Sequence, residues 1–255
     1  MNSLTNEAPV CFIESDPQLA LLRRAGAEFT GTLLLVVVLM GTRLNGLQAM
    51  AGGRDAGQLV GPVAAGGALA GLIIAFGPLS GGQLNPLITF MQWVFRLRNT
   101  TCAITYVAAQ FAGGVCGAFI AAIAERATGR VGETVTAQPS STIAELLSSA
   151  GLMVVVFSCM AGARKEWGAF AVGAWLTASS VAIPFTFANP AVALGMALPS
   201  HADKLIRSTL YLTVLIEFAG AMVACVVLAL LFPRQLRLSV PEIGGNKVES
   251  DVAEY

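Results

Sequence analysis

Two stretches decide the fold: Ser80-Gly81-Gly82-Gln83-Leu84-Asn85-Pro86-Leu87 and Ala188-Asn189-Pro190-Ala191-Val192. Asn followed by Pro is a helix start. The Asn side chain accepts from the free N–H groups of the first turn, and Pro, with fixed φ and no N–H, suits the first helical position. The segments opened this way, 85–95 and 189–198, are too short to cross a bilayer, which takes about 20 apolar residues. Two helix starts at membrane depth aim two positive dipole ends and two polar amides into the interior. Broken helices are tolerated there only where they pack on protein or line a cavity. The pair points to a pore.

The rest of the chain reads as the membrane part. Of 255 residues, 55% are hydrophobic and only 12% are charged, about half the charged share of a soluble domain. Apolar runs near 25–42, 59–79, 101–124, 143–163, 167–184 and 208–232 predict six spans. The expected fold is an all-α membrane protein of six transmembrane helices plus two half-spanning helices. A single domain over 21–232 lies between tails 1–20 and 233–255. The first twenty residues are polar, with no apolar run before a small-residue cleavage site, so the first span is expected to be a retained anchor. Lys and Arg divide nine to six in favour of the side that carries both termini, which predicts a cytoplasmic location for both tails.

Composition also excludes function classes. Zero net charge gives no electrostatic basis for nucleic-acid binding. Cys11, Cys102, Cys116, Cys159 and Cys225 have no CxxC spacing and read as apolar thiols, not as a disulfide framework or metal site. No His cluster, Ser/Lys pair or metal-ligand set falls within the spans, so neither an enzyme nor a bound metal or cofactor is expected. The single His, His201, is expected to be a solvated loop residue.

The chain repeats itself. Ala27-Glu28-Phe29 near the start of the first span matches Ala144-Glu145-Leu146 near the start of the fourth. Gln110-Phe111-Ala112-Gly113 in the third matches Glu217-Phe218-Ala219-Gly220 in the sixth. With the Asn-Pro pair, these elements recur in the same order at near-equal offsets, defining halves of about 21–125 and 140–232. Three spans per half is an odd number, so the halves insert with opposite polarity and place their site near the midplane. Gly67-x-x-x-Gly71 and Gly113-x-x-x-Gly117 predict close helix packing. Glu28, Glu145 and Glu217 are ionisable groups at or within apolar spans, a costly placement that marks a role.

Together these residues resemble the major intrinsic protein superfamily, the aquaporins and aquaglyceroporins. The resemblance runs through Ala-Glu-Phe-Thr-Gly-Thr (27–32), the 80–87 stretch, Gln110 and Ala-Asn-Pro-Ala-Val (188–192). Phe76-Gly77-Pro78-Leu79-Ser80-Gly81 together with Phe187–Val192 is similar to a bacterial branch often associated with arsenic-resistance genes. The resemblance implies a homotetramer in a bacterial plasma (inner) membrane. Each subunit would hold one pore that passively conducts water or small neutral solutes without a cofactor.

It also assigns roles. Asn85, Pro86, Leu87, Asn189, Pro190 and Ala191 would form the midplane motif, each Asn capping its helix and turning a free NH₂ toward the solute. Carbonyls of about 80–83 and 185–188 would line one wall. Glu28 and Glu145 would hold the loop backbones, and Gln110 is the neutral counterpart of Glu217. An outer selectivity filter would comprise Ala65, Ser179, Thr186 and Val192, with Val192 standing where the family usually has Arg. Small uncharged residues at all four positions imply a wide opening for polyols such as glycerol, metalloid hydroxides such as arsenite, methylated arsenicals and water. Leu87 replaces the usual Ala, so a water-selective channel with Leu87 as size filter is the alternative. A proton-coupled transporter using Glu217 is a third reading. Gln83 occupies a position often held by His.

Overall fold

The computed structural model describes residues 12–16, 18–51, 57–127, 142–161, 165–183, 186–198 and 204–232. Cys11, His201, Phe185, the 233–255 tail and the charges Arg54, Arg130, Arg164, Arg234, Arg237 and Lys247 lie outside the described residues.

The described residues form eight α-helices in this order: α1 Leu21–Ala51, α2 Gly57–Ser80, α3 Pro86–Val94, α4 Thr100–Ala127, α5 Thr142–Ala161, α6 Gly168–Ala182, α7 Pro190–Ala197 and α8 Lys204–Leu231. Five of them, α1, α2, α4, α5 and α8, are long and apolar enough to cross a membrane. The remaining expected span, 167–184, is shorter than the sequence predicts. Helix α6 has 15 residues, about 22 Å at 1.5 Å per residue, and follows a 3₁₀ turn over Lys165–Trp167. Pro184 explains its early end, because the residue before Pro is driven out of the helical region. Ile183 sits at φ −131, ψ 73. The half-spanning helices α3 and α7 have nine and eight residues and begin at Pro86 and Pro190, as expected.

The two halves pack alike. Helix α1 lies against α4 and α2, α5 against α8 and α6, and α2 against α6 joins the halves. Glycine sets the closest crossings. A Cβ at Gly113 would collide with the carbonyl of Phe29, and one at Gly220 would meet the carbonyl of Leu146. These are the repeat partners of each other, so the same backbone contact is built twice. Gly117 likewise faces the Leu33 carbonyl, so the Gly113/Gly117 expectation holds. The Gly67/Gly71 expectation does not, because both positions face open space. The α2–α6 crossing uses Gly66 and Gly173 instead, whose backbones touch.

The exterior is apolar. Ile104, Phe119, Ile123, Leu215, Val226 and Leu230 are each more than half exposed. Side chains of this kind belong in lipid, since a patch this extensive in water would drive aggregation.

Candidate functional site

The site begins at the two helix starts. Asn85, at φ −154, accepts from the Leu87 N–H through Oδ1 at 2.9 Å. Asn189, at φ −159, accepts from the Ala191 N–H at 3.1 Å and the Val192 N–H at 3.4 Å. Both are the caps that the sequence predicts. The amide nitrogens then cross between halves: Asn85 Nδ2 donates to the Ala188 carbonyl at 2.8 Å, and Asn189 Nδ2 donates to the Leu84 carbonyl at 2.9 Å. This corrects the expectation of two free NH₂ groups. One hydrogen of each ties the halves together, and each nitrogen carries a second.

The carbonyls that receive these bonds belong to residues in the left-handed region, Leu84 at φ 51 and Ala188 at φ 48. Such a conformation costs a non-glycine residue about 1–3 kcal/mol and persists only where its surroundings impose it. Two buried carboxylates impose it. Glu28 accepts from the N–H groups of Gln83 at 3.0 Å and Leu84 at 2.7 Å. Glu145 accepts from Phe187 at 2.9 Å and Ala188 at 2.7 Å, the same two positions before its own Asn. Glu28 also accepts from Ser80 Oγ at 2.6 Å and Gln110 Nε2 at 2.8 Å. In the second half Glu217 accepts from the Asn189 N–H at 2.8 Å. All four polar side chains, Glu28, Gln110, Glu145 and Glu217, are fully buried.

The first loop has a second support that sequence reasoning missed. Residues 12–16 are not a free tail. Phe12 is fully buried, and its carbonyl accepts from Gln92 Nε2 at 2.9 Å. Glu14 pairs with Arg24 at 3.1 Å and with Arg98. Arg98 bonds Gln92 at 2.9 Å and the Ser80 carbonyl at 3.3 Å, and the Tyr106 hydroxyl also donates to that carbonyl at 3.0 Å. Gly81 and Gly82 fit here because both have positive φ and a Cβ at either would strike backbone, the Phe12 carbonyl at 2.5 Å and the Ile73 carbonyl at 2.9 Å. The Ser80 carbonyl, expected on the pore wall, is therefore held by protein donors. The one signal in the sequence is the apolar pair Phe12-Ile13 ahead of Glu14-Ser15-Asp16.

A cavity of about 30 Å³ runs through this site. Its lining includes Asn85, Asn189, Leu84 and Ala188 at the join, Gln83 from the first half, and Val192, Ser179 and Phe187 from the second. The Gln83 amide reaches Thr89 Oγ1 at 2.6 Å and neighbours Gln92 and Arg98, which fixes its orientation. The helices contribute pairs one turn apart: Leu35 and Leu39 from α1, Leu69 and Ile73 from α2, Ser148 and Leu152 from α5. Residues three and four apart share one helix face, which is why such pairs face one lumen.

The predicted filter residues divide. Val192 and Ser179 line the cavity; Ala65 and Thr186 do not. Ala65 is buried on the same stripe as Leu69 and Ile73, one turn beyond the lining. The Thr186 hydroxyl is bonded to Ser148 Oγ at 3.1 Å. Leu87 is fully buried in the apolar core and does not line the cavity, since this turn presents Leu84, Asn85 and Ile88 instead. Glu217 is also absent from the lining. Trp175, Leu176 and Phe187 are lining residues that the motif offsets do not reveal.

Comparison with known proteins agrees with this geometry. The family model described as major intrinsic protein matches residues 16–188, ending one residue before Asn189. Aquaglyceroporin AqpS of Rhizobium meliloti (strain 1021) is 30% identical over 209 residues, covering 80% of this chain and 88% of that protein. Aquaporin NIP2-1 of Oryza sativa subsp. japonica is 30% identical over 191 residues, covering 71% of this chain and 62% of its own length. The X-ray structure of the aquaglyceroporin from Plasmodium falciparum superposes with a TM-score of 0.69, at 16% identity, over 86% of this chain and all of that one. That likeness shows a shared fold. An inverted pair of half-helices, capped by two Asn residues that bond across the join, is thus accompanied by a family match over most of the chain. The chain belongs to the major intrinsic protein family, the aquaporin and aquaglyceroporin channels of membranes.

Proposed function

We propose that the protein is a passive channel for small uncharged solutes, namely polyols such as glycerol, metalloid hydroxides such as arsenite, methylated arsenicals, and water. The observation that carries this reading is the meeting of the α3 and α7 N-termini at Asn85 and Asn189, both of which line the cavity. Each N-terminus carries a partial positive charge of about half a unit. Two such ends facing one lumen repel cations, hydronium included, and orient an incoming hydroxyl oxygen toward the remaining amide N–H groups. Val192 and Ser179 add no charge to the lining and leave the passage of neutral solutes to size and hydrogen bonding. The name of the AqpS relative, an aquaglyceroporin, supports a solute range wider than water.

A second reading is a water-selective channel; the cavity of about 30 Å³ has room for water, one molecule of which needs about 10–15 Å³. Leu87 would not be its filter, being packed in the core. A proton-coupled transporter is the weakest reading: Glu217 holds the Asn189 N–H and stands off the lumen. Four copies assembled as a homotetramer, in a bacterial plasma membrane with both termini cytoplasmic, complete the proposal.

The filter assignment is tested by Val192→Arg in proteoliposomes. An Arg there should place a bulky charged side chain in the lining and cut glycerol and arsenite flux about tenfold, equivalent to about 1.4 kcal/mol of added barrier, while water flux persists. Unchanged solute flux contradicts the assignment.

A further inference from the structure

We propose that Trp175 sets the size cut-off of the path, and that Gly151 makes room for it. The inference rests on the channel reading and deepens it. Of the four expected filter residues only Ser179 and Val192 line the cavity, and both are small, so they leave the size cut-off to a larger side chain in the lining.

Trp175 is placed to do so. Val172, Trp175, Leu176 and Ser179 all line the cavity and form one i, i+3, i+4, i+7 face of α6. Trp175 lies one turn from Ser179, about 6 Å along the axis and toward the middle of the helix. The indole therefore faces the same lumen as Ser179, one turn away along α6. Trp is the largest side chain in the lining.

Its orientation is fixed by α5. The indole N–H donates to the Ser148 carbonyl at 3.1 Å, so the ring's only polar group is turned to the protein. The surface left for the lumen is apolar. The benzo edge, at Cζ2 and Cη2, rests against Gly151, where any Cβ would overlap it. Ser148, Gly151 and Leu152 share the same turn of α5, and Ser148 and Leu152 both line the cavity. The ring is thus wedged between a glycine on one side and the lumen on the other. Adding a methyl at 151 leaves the lumen as the free direction for the ring to move.

This arrangement predicts opposite effects from two neighbouring residues. Trp175→Ala should raise the ratio of glycerol to water flux by about tenfold, the factor that follows from removing about 1.4 kcal/mol of barrier. It should also admit the four-carbon polyol erythritol. Gly151→Ala should lower the glycerol-to-water ratio by pushing the indole inward. The double variant should behave like Trp175→Ala, because the new methyl then occupies vacated space. This non-additivity is the signature of a direct contact.

The measurement is stopped-flow light scattering on proteoliposomes, with flux normalised to inserted protein, in wild type and each variant. A ratio is read because a merely structural role changes the amount of working channel without changing selectivity. If Trp175→Ala does not insert as folded protein, Trp175→Phe should shift the ratio in the same direction by less. A conducting wild type whose ratio is unmoved by both Gly151→Ala and the Trp175 variant overturns the proposal. A wild type that conducts neither water nor glycerol above empty vesicles overturns the channel reading itself, which is a separate result.

Discussion

Leu84 and Ala188 each sit in the left-handed region one residue before an Asn, and each is held there by a carboxylate from the start of a long helix. The strain is useful because it turns the two carbonyls toward the opposite half, where the Asn amides reach them. Replacing Glu28 by Ala leaves the N–H groups of Gln83 and Leu84 without their acceptor in a dry interior. Unsatisfied buried donors cost about 1–3 kcal/mol each, so Glu28→Ala should lose about 3 kcal/mol or more, read as a fall in unfolding temperature in detergent. Glu217→Gln is the contrasting case. Its amide oxygen can still accept from the Asn189 N–H, so solute flux should be unchanged. A loss of flux would instead favour the proton-coupled reading.

The sequence made the two Asn caps legible, since cap chemistry is local and Asn-Pro is specific. Val192 and Ser179 came from the resemblance, by counting from those caps to the filter positions it implies. The left-handed residues were not legible, because neither Leu nor Ala signals positive φ. Trp175 was missed for a different reason. Motif offsets give the helix face, and they do place Ala65 on the right stripe, but the bore is set by whichever side chain projects furthest one turn away.

At the scale of elements, the repeat is expressed as backbone contact. Gly113 against the Phe29 carbonyl and Gly220 against the Leu146 carbonyl are one crossing built twice. Gly113→Val and Gly220→Val should each cost about 2 kcal/mol by overpacking, while Gly67→Ala and Gly71→Ala should stay within about 0.5 kcal/mol. Unfolding temperature in detergent again decides. Glycine spacing predicts Gly113 and Gly117 and misleads on Gly67 and Gly71, because Gly-x-x-x-Gly marks a smooth face without naming what meets it. The segment 12–16 shows the opposite limit. Nothing periodic marks it, yet Glu14 joins Arg24 and Arg98 with its side chain only 8% exposed. Removing one partner of a buried ion pair costs about 3–5 kcal/mol. Glu14→Ala should fall at the low end of that range, since some water reaches the pair. Equal stability of the variant would mean that the segment is dispensable.

For the whole molecule, three expected spans per half, an odd number, require opposite insertion, and opposite insertion brings two short helices end to end. That chain of reasoning was available from the sequence because hydropathy and repeats are global patterns. The bore was not available, because it depends on rotamers and on single glycines such as Gly151. The most direct measurement is uptake of labelled glycerol into proteoliposomes, followed to equilibrium with and without an imposed pH gradient. A passive channel predicts faster uptake than in empty vesicles, a final internal concentration equal to the external one, and no effect of the gradient on that end point. Uptake no faster than in empty vesicles, or accumulation above the external concentration, contradicts it.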